Sequence, residues 1–234
     1  MGDSSRYIKK DIAAEAHELD DLEWIIYDPQ KSLETLSDFL EEWIPSRAYR
    51  EDGIGWICVR GYNVPEKEIS ICNLTNLLKE WNSLKESGRQ IDLQKITELA
   101  KTYTLTSGKW ILHVDTGVKA NYFWKLIARG IVEGKLPSNC AKISSVLPDE
   151  ENHVVCIYNK NFTDNKEVCL LEKGIREIGL KCCLRYKPDV YTYIDIYRGN
   201  KWNLRPTIYK SVYDILTKQS KITTNETYPQ MLQY

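Results

Sequence analysis

The residues best equipped for chemistry lie between positions 181 and 213. This stretch holds seven cations (Lys181, Arg185, Lys187, Arg198, Lys201, Arg205 and Lys210) against Asp189 and Asp195. It also holds seven rings: Tyr186, Tyr191, Tyr193, Tyr197, Trp202, Tyr209 and Tyr213. Cations neutralise phosphate and rings stack on bases, so their interleaving suits a single-stranded nucleic acid or a nucleotide. The candidate ligand-binding set is Lys187, Tyr191, Tyr193, Arg198, Lys201, Trp202 and Arg205. Read as a strand, positions 190–197 place Tyr191, Tyr193, Asp195 and Tyr197 on one face and Val190, Thr192, Ile194 and Ile196 on the other. The loop from Arg198 to Arg205 then offers two Arg, one Lys and one Trp around Gly199 as a phosphate clamp. The competing reading is a solvated turn whose Trp202 covers the core.

Secondary candidates are Lys109, His113 and Lys142. In the strand pattern KWILHVD, Lys109, Ile111, His113 and Asp115 share a face, which would let Asp115 orient His113 as a general base. No nucleophile accompanies the pair, and a structural role is the plainer reading. Lys142, in mid-strand within CAKIS, marks an open polar sheet face and suits an edge strand better than an active lysine. The chain contains no phosphate-binding glycine loop, G-x-S-x-G or H-E-x-x-H pattern. It is therefore read as non-catalytic and without a cofactor.

The seven cysteines are odd in number, and several sit in apolar runs such as WICV and VVCIY. They read as reduced, buried thiols of a cytoplasmic or nuclear protein. His153 and Cys156 are three apart in a strand pattern and point to opposite faces, so no metal is expected. The N-terminus lacks an apolar secretion signal and no run of eighteen apolar residues occurs, so no membrane partner is expected.

Helical spacing marks Ser32–Trp43 (Ser32 as N-cap, Pro45 as stop), Leu74–Leu84, Asp92–Tyr103, Val118–Glu133 and Asp164–Ile178. Strand patterns mark Trp56–Arg60 (stopped by Gly61 and Pro65), Lys109–Asp115, Cys140–Val146, His153–Tyr158, Cys182–Tyr186 and Val190–Tyr197, with Thr207–Tyr213 as an edge. The turn from Leu147 to Asn152 predicts an antiparallel hairpin. Trp43, Trp81 and Trp124 fall on helical faces and should pack, while Trp24 should staple the N-terminal segment to the domain. Together these give an α+β layer, an antiparallel sheet backed by helices. Residues 1–21 read as a flexible acidic segment, 22–217 as one domain and 218–234 as a polar tail.

Four blocks then stand out: PSRAYREDGIGWICVRG (45–61), SGKWILHVDTGVKANYFWKLIARGIVEGKL (107–136), HVVCIYNKNFTD (153–164) and YKPDVYTYIDIYRGNKWNLRPTIYKS (186–211). They resemble the basophilic leukaemia-expressed protein family, which has no established activity. The resemblance implies the fold of the cap-binding translation initiation factor 4E, a curved antiparallel sheet with helices on its convex face. That factor holds methylated guanine between two Trp rings, reads it with a Glu and holds the triphosphate with Arg and Lys. Its Trp-Glu dipeptide has no counterpart here, since no Trp in this chain precedes a Glu.

The functional expectation is a module that binds RNA or a nucleotide-like phosphate ligand in the concave face. The alternative is an adaptor whose aromatic and basic C-terminal segment meets a protein partner; an enzyme of unknown reaction is a third, minor class. The net charge of −1 does not oppose an anionic ligand. Positions 1–52 carry a net −8 and positions 53–234 a net +7, so the acidic N-terminal region is expected to screen a basic, aromatic face.

Overall fold

Alternation along the strands sorts this chain into two layers, one apolar and one polar. The computed structural model describes residues 18–62, 71–147 and 150–224. The segment 1–17, Pro65, the turn residues 148–149 and positions 225–234 lie outside the described residues. In chain order the elements are β1 (Glu23–Tyr27), α1 (Leu36–Glu42), β2 (Ile54–Arg60), α2 (Ile71–Glu86), α3 (Leu93–Thr102), β3 (Gly108–Asp115) and α4 (Val118–Val132). They continue with β4 (Cys140–Ser144), β5 (Asn152–Asn159), α5 (Asn165–Glu177), β6 (Leu184–Pro188), α6 (Asp189–Tyr193), β7 (Tyr209–Asp214) and β8 (Gln219–Thr224). The strands form one sheet in the order β1-β2-β4-β5-β3-β6-β7-β8. Every neighbouring pair is antiparallel except β1 and β2, which run parallel.

One sheet face is apolar: Ile57 and Val59, Ala141 and Ile143, Val155 and Ile157, Trp110, Leu112 and Val114 are all buried. Leu77 and Trp81 of α2, Ile96 and Leu99 of α3, Trp124 and Ile127 of α4, and Val168 and Leu171 of α5 belong to the same core. The helices therefore back this face, as the sequence pattern requires. Trp110 is fully buried and its indole N–H donates to the Val168 carbonyl at 3.0 Å. Trp81 and Trp124 pack as expected, and Trp43 packs at the margin of the core.

The helix limits fall within a few residues of the apolar spacing, with one change of cap. Thr35 caps α1, accepting from the Asp38 N–H at 3.2 Å, and the Asp38 carboxylate accepts from the Thr35 backbone N–H at 3.3 Å. This reciprocal box displaces Ser32, whose hydroxyl instead accepts from the Asp28 N–H at 3.0 Å.

Three strand expectations are corrected. First, positions 190–197 do not form a strand. Gly108 at the start of β3 pairs with Pro188, so β6 has no neighbour to pair with beyond that point. Pro188 turns the chain, residues 189–193 coil into α6, and Asp195 adopts φ of +57°. The alternating tyrosine face is lost with the strand. Second, residues 23–27 form β1, missed because a five-residue strand offers too little pattern. Third, the polar tail is not loose throughout, since residues 219–224 pair with β7 as β8. Its Ser220 hydroxyl donates to Glu172 at 3.1 Å. Glu172 is buried and also takes bonds from Arg176 at 2.7 Å and Ser211 at 2.6 Å. A buried carboxylate demands such partners, which adds to the packing of Ile222 in holding this polar strand.

Candidate functional site

The second sheet face, opposite the helices, carries most of the cations singled out by the sequence. Cross-strand pairing aligns Cys58, Lys142, Cys156, Ile111, Arg185 and Lys210 in one row across β2, β4, β5, β3, β6 and β7. The next row aligns Tyr158, Lys109 and Lys187. Lys142 therefore lies in an interior strand and not at an edge, because β4 pairs with both β2 and β5. Its reading as the mark of a polar face is correct.

At the β1–β2 end Lys142 and Arg60 each have a carboxylate partner. The Lys142 ammonium lies 4.1 Å from the Trp24 ring centroid and 3.7 Å from that of Trp56. It also donates to Asp20 Oδ1 at 3.0 Å, and the Trp56 indole N–H donates to the same oxygen at 2.9 Å. Leu19 packs with Trp56 and Cys58 in a small cluster separate from the main core. Trp24 staples this segment as expected, its indole N–H donating to the Asp20 carbonyl at 3.2 Å.

The β3–β6–β7 end differs. Lys109 is buried and bound to Asp189 at 2.8 Å, with its ammonium 5.3 Å from the Tyr158 ring centroid. Burial works against its charge, and the Asp189 carboxylate more than reverses this, holding the ammonium above its ordinary range. Lys187 is 5% exposed and sits 3.6 Å from the Tyr197 ring centroid. No hydrogen bond or ion pair to its ammonium is found among the described residues. Burial, with the neighbouring Lys109 charge, pushes it down to about 7. Asp189, Cys156 and Asp195 oppose that shift without cancelling it. Arg185 and Lys210 stand directly opposite each other across β6 and β7, and neither has an ion pair among the described residues. Like charges so placed destabilise a sheet.

The 198–205 loop takes the form of the competing reading. Asn200 organises it, donating to the Tyr197 and Leu204 carbonyls at 2.8 and 2.6 Å while accepting from the Trp202 and Leu204 N–H groups. Leu204 is buried in the core, and Trp202 packs edge-on against Trp81 of α2 at 4.8 Å. Arg198 and Lys201 remain exposed, and Arg205 is half-buried. Trp202 thus serves the helical layer. Tyr191 is also lost to the candidate site, being a core residue at 1% exposure, whereas Tyr193 is half-buried beside Asp189 and Lys109.

His113 lies on the open face, but Asp115 binds Lys119 at 2.6 Å. Burial and the nearby Arg185 charge both lower the His113 pKa. His153 and Cys156 occupy opposite faces as expected, the imidazole bonding to the Ser144 carbonyl at 2.6 Å. The open-face thiols are poor nucleophiles, since burial pushes Cys58 and Cys140 up to about 12 despite Lys142 nearby. The expectation of buried cysteines fails at Cys169 and Cys183, which are exposed.

The site is thus assembled from Lys109, Lys142 and Lys187, chosen in the sequence, with Arg185, Lys210, Asp20, Asp189, Trp24 and Trp56. Arg185 and Lys210 lie inside the basic segment. Their strand register, not their spacing from the tyrosines, distinguishes them.

Two solved structures are similar to part of this chain in backbone only. Schistosome eIF4E complexed with m7GpppA and 4E-BP is 12% identical, with a TM-score of 0.34, over 41% of this chain and 55% of that one. C. elegans eIF4E-3, in complex with the 4E-binding protein Mextli and cap analog, is 16% identical, with a TM-score of 0.31, over 36% and 51%. This chain spans about half the length of these proteins. A family model, basophilic leukemia-expressed protein Bles03, matches residues 73–195. That match covers more than half of the 234 residues and runs from α2 through α6, taking in β3, β4, β5 and β6 of the open face, and the chain belongs to the Bles03 family.

Proposed function

We propose that the chain is a non-catalytic binding module that takes a phosphate-bearing ligand, single-stranded RNA or a nucleotide, on the open face of its sheet. The observation that carries this reading is the like-charge group Arg185, Lys187 and Lys210. Two of these cations face each other across neighbouring strands, and the third is buried without an ion pair among the described residues. A fold tolerates that arrangement at a cost in stability, and a bound anion removes the cost. Tyr197 at 3.6 Å from Lys187 and Tyr158 beside Lys109 add rings next to the cations. The non-catalytic part is supported by the engagement of Asp115 with Lys119 and by the raised thiols of Cys58 and Cys140.

The test is calorimetric titration with single-stranded hexauridylate and, separately, with uridine triphosphate at low salt. Binding by either should weaken at least tenfold in the triple variant Arg185→Gln, Lys187→Met, Lys210→Gln. Three phosphate contacts give a slope of log affinity against log salt of about −2 for a single strand. Binding of the triphosphate but not the hexamer assigns a nucleotide ligand, and the reverse assigns RNA. Absence of binding by both probes, or an unaffected triple variant, rejects the proposal. One observation favours the adaptor alternative: Ile215 and Leu216 protrude from the β7–β8 turn at 73% and 93% exposure.

A further inference from the structure

The anion-receiving face already holds an anion, supplied by the chain itself. Asp20 Oδ1 is bound by the Lys142 ammonium at 3.0 Å and by the Trp56 indole N–H at 2.9 Å. Lys142 shares its row with Arg185 and Lys210. Three strand spacings of about 4.8 Å separate it from Arg185, so one ligand reaching both cations must be longer than a pair of adjacent phosphates. We propose that Asp20 is a built-in competitor, occupying the Lys142–Trp56 end of the site until an external phosphate displaces it. This inference rests on the phosphate-binding reading given above.

The attachment has the makeup of a releasable contact. Asp20 is 39% exposed although its partner Lys142 is 8% exposed, so the pair sits at the solvent boundary. The apolar part of the docking is Leu19 on Trp56 and Cys58. That cluster stands outside the main core, so undocking residues 18–21 uncovers Leu19, Trp56 and Cys58 and leaves the helical layer intact. The docking is also specific. A Cβ on Gly55 of β2 would run into the Leu19 backbone carbonyl oxygen, so the glycine lets the segment lie flat against the strand. An intrachain carboxylate on a short tether acts at an effective concentration of about millimolar, enough to hold off a weak anion and not a multiply charged one. The exchange is one of like for like: Lys142 and Trp56 keep a hydrogen-bond acceptor throughout, and neither is left buried and unsatisfied.

The experiment compares hexauridylate and uridine triphosphate binding by the full chain, Asp20→Asn, Asp21→Asn and Lys142→Met. Asp21 is the charge control, being exposed and one residue from the contact. Competition gives Asp20→Asn about tenfold tighter binding, Asp21→Asn less than twofold, and Lys142→Met no gain. Equal gains in Asp20→Asn and Asp21→Asn reduce the effect to net charge and overturn competition while leaving phosphate binding standing. The same follows if Asp20→Asn binds no better than the full chain. If no form binds either probe, phosphate binding falls first and the competitor with it.

Discussion

Lys142 and Lys187 occupy the same sheet face with nearly the same burial, 7% and 5% exposed, yet their surroundings are opposite. Lys142 has a carboxylate at 3.0 Å and two indole rings around its ammonium. Lys187 has one phenol ring and the like charge of Lys109 in the paired position of β3. The β1–β2–β4 end is electrostatically closed and the β3–β6–β7 end is left open. At Lys187 burial lowers the pKa first and the like charge of Lys109 adds to it.

The largest way to break this comparison is to open a closed pair. Asp189→Ala removes the counterion of Lys109 and leaves two neighbouring buried ammoniums. Urea denaturation should show a loss of about 3–5 kcal/mol, the usual result of orphaning one member of a buried pair. A loss under about 1 kcal/mol would mean that the pair is solvated.

The next effect follows the pH. The folded pKa of Lys187, about 7, lies below its ordinary 10.5, so the native state sheds this proton first. Between those values the unfolded chain binds more protons, and this residue makes stability rise with pH; below about 7 it contributes no slope. Lys109, Asp189, Cys156 and Asp195 are the charged and titratable groups that face this ammonium. Lys187→Met should be more stable than the wild type by about 1–2 kcal/mol at pH 6, with the gap closing toward pH 10. A gap that does not vary with pH would place the charge of Lys187 in solvent.

Asp20→Ala acts on the closed end, where the carboxylate is partly solvated. Its loss should cost about 1 kcal/mol and be reduced by salt. The smallest effect sharpens the open end: Arg185→Gln or Lys210→Gln should stabilise the free protein by about 0.5 kcal/mol or less at low salt, and not at high salt. Destabilisation by either would reveal a partner for that cation.

The helical layer was legible in the sequence because its apolar repeats are long: Leu77, Trp81, Ile96, Leu99, Trp124 and Leu171 all reach the core from faces that their spacing marks. The open-face residues Lys109, His113 and Lys142 were legible as alternations within strands. The 186–205 segment misled for a physical reason. Whether VYTYIDIY becomes a strand depends on a neighbour to pair with, and β3 begins only at Gly108, opposite Pro188. The reading of Trp202 as a cover of the core was open in the sequence, but not its partner Trp81, nor that Arg185 and Lys210 come face to face, because strand register across long connections is a tertiary property. The acidic charge of the N-terminal region was legible in the sequence, and two of its carboxylates, Asp20 and Asp28, meet cations of β4 and β2.

The most direct measurement is the titration of the Lys187 side-chain amine by NMR in the presence and absence of tripolyphosphate. Alone, the amine should titrate near 7. With tripolyphosphate bound on the open face, the ammonium gains its missing counterion and its midpoint should rise by about one unit or more. A midpoint that tripolyphosphate leaves unchanged would contradict the assignment of this face as a phosphate-binding site.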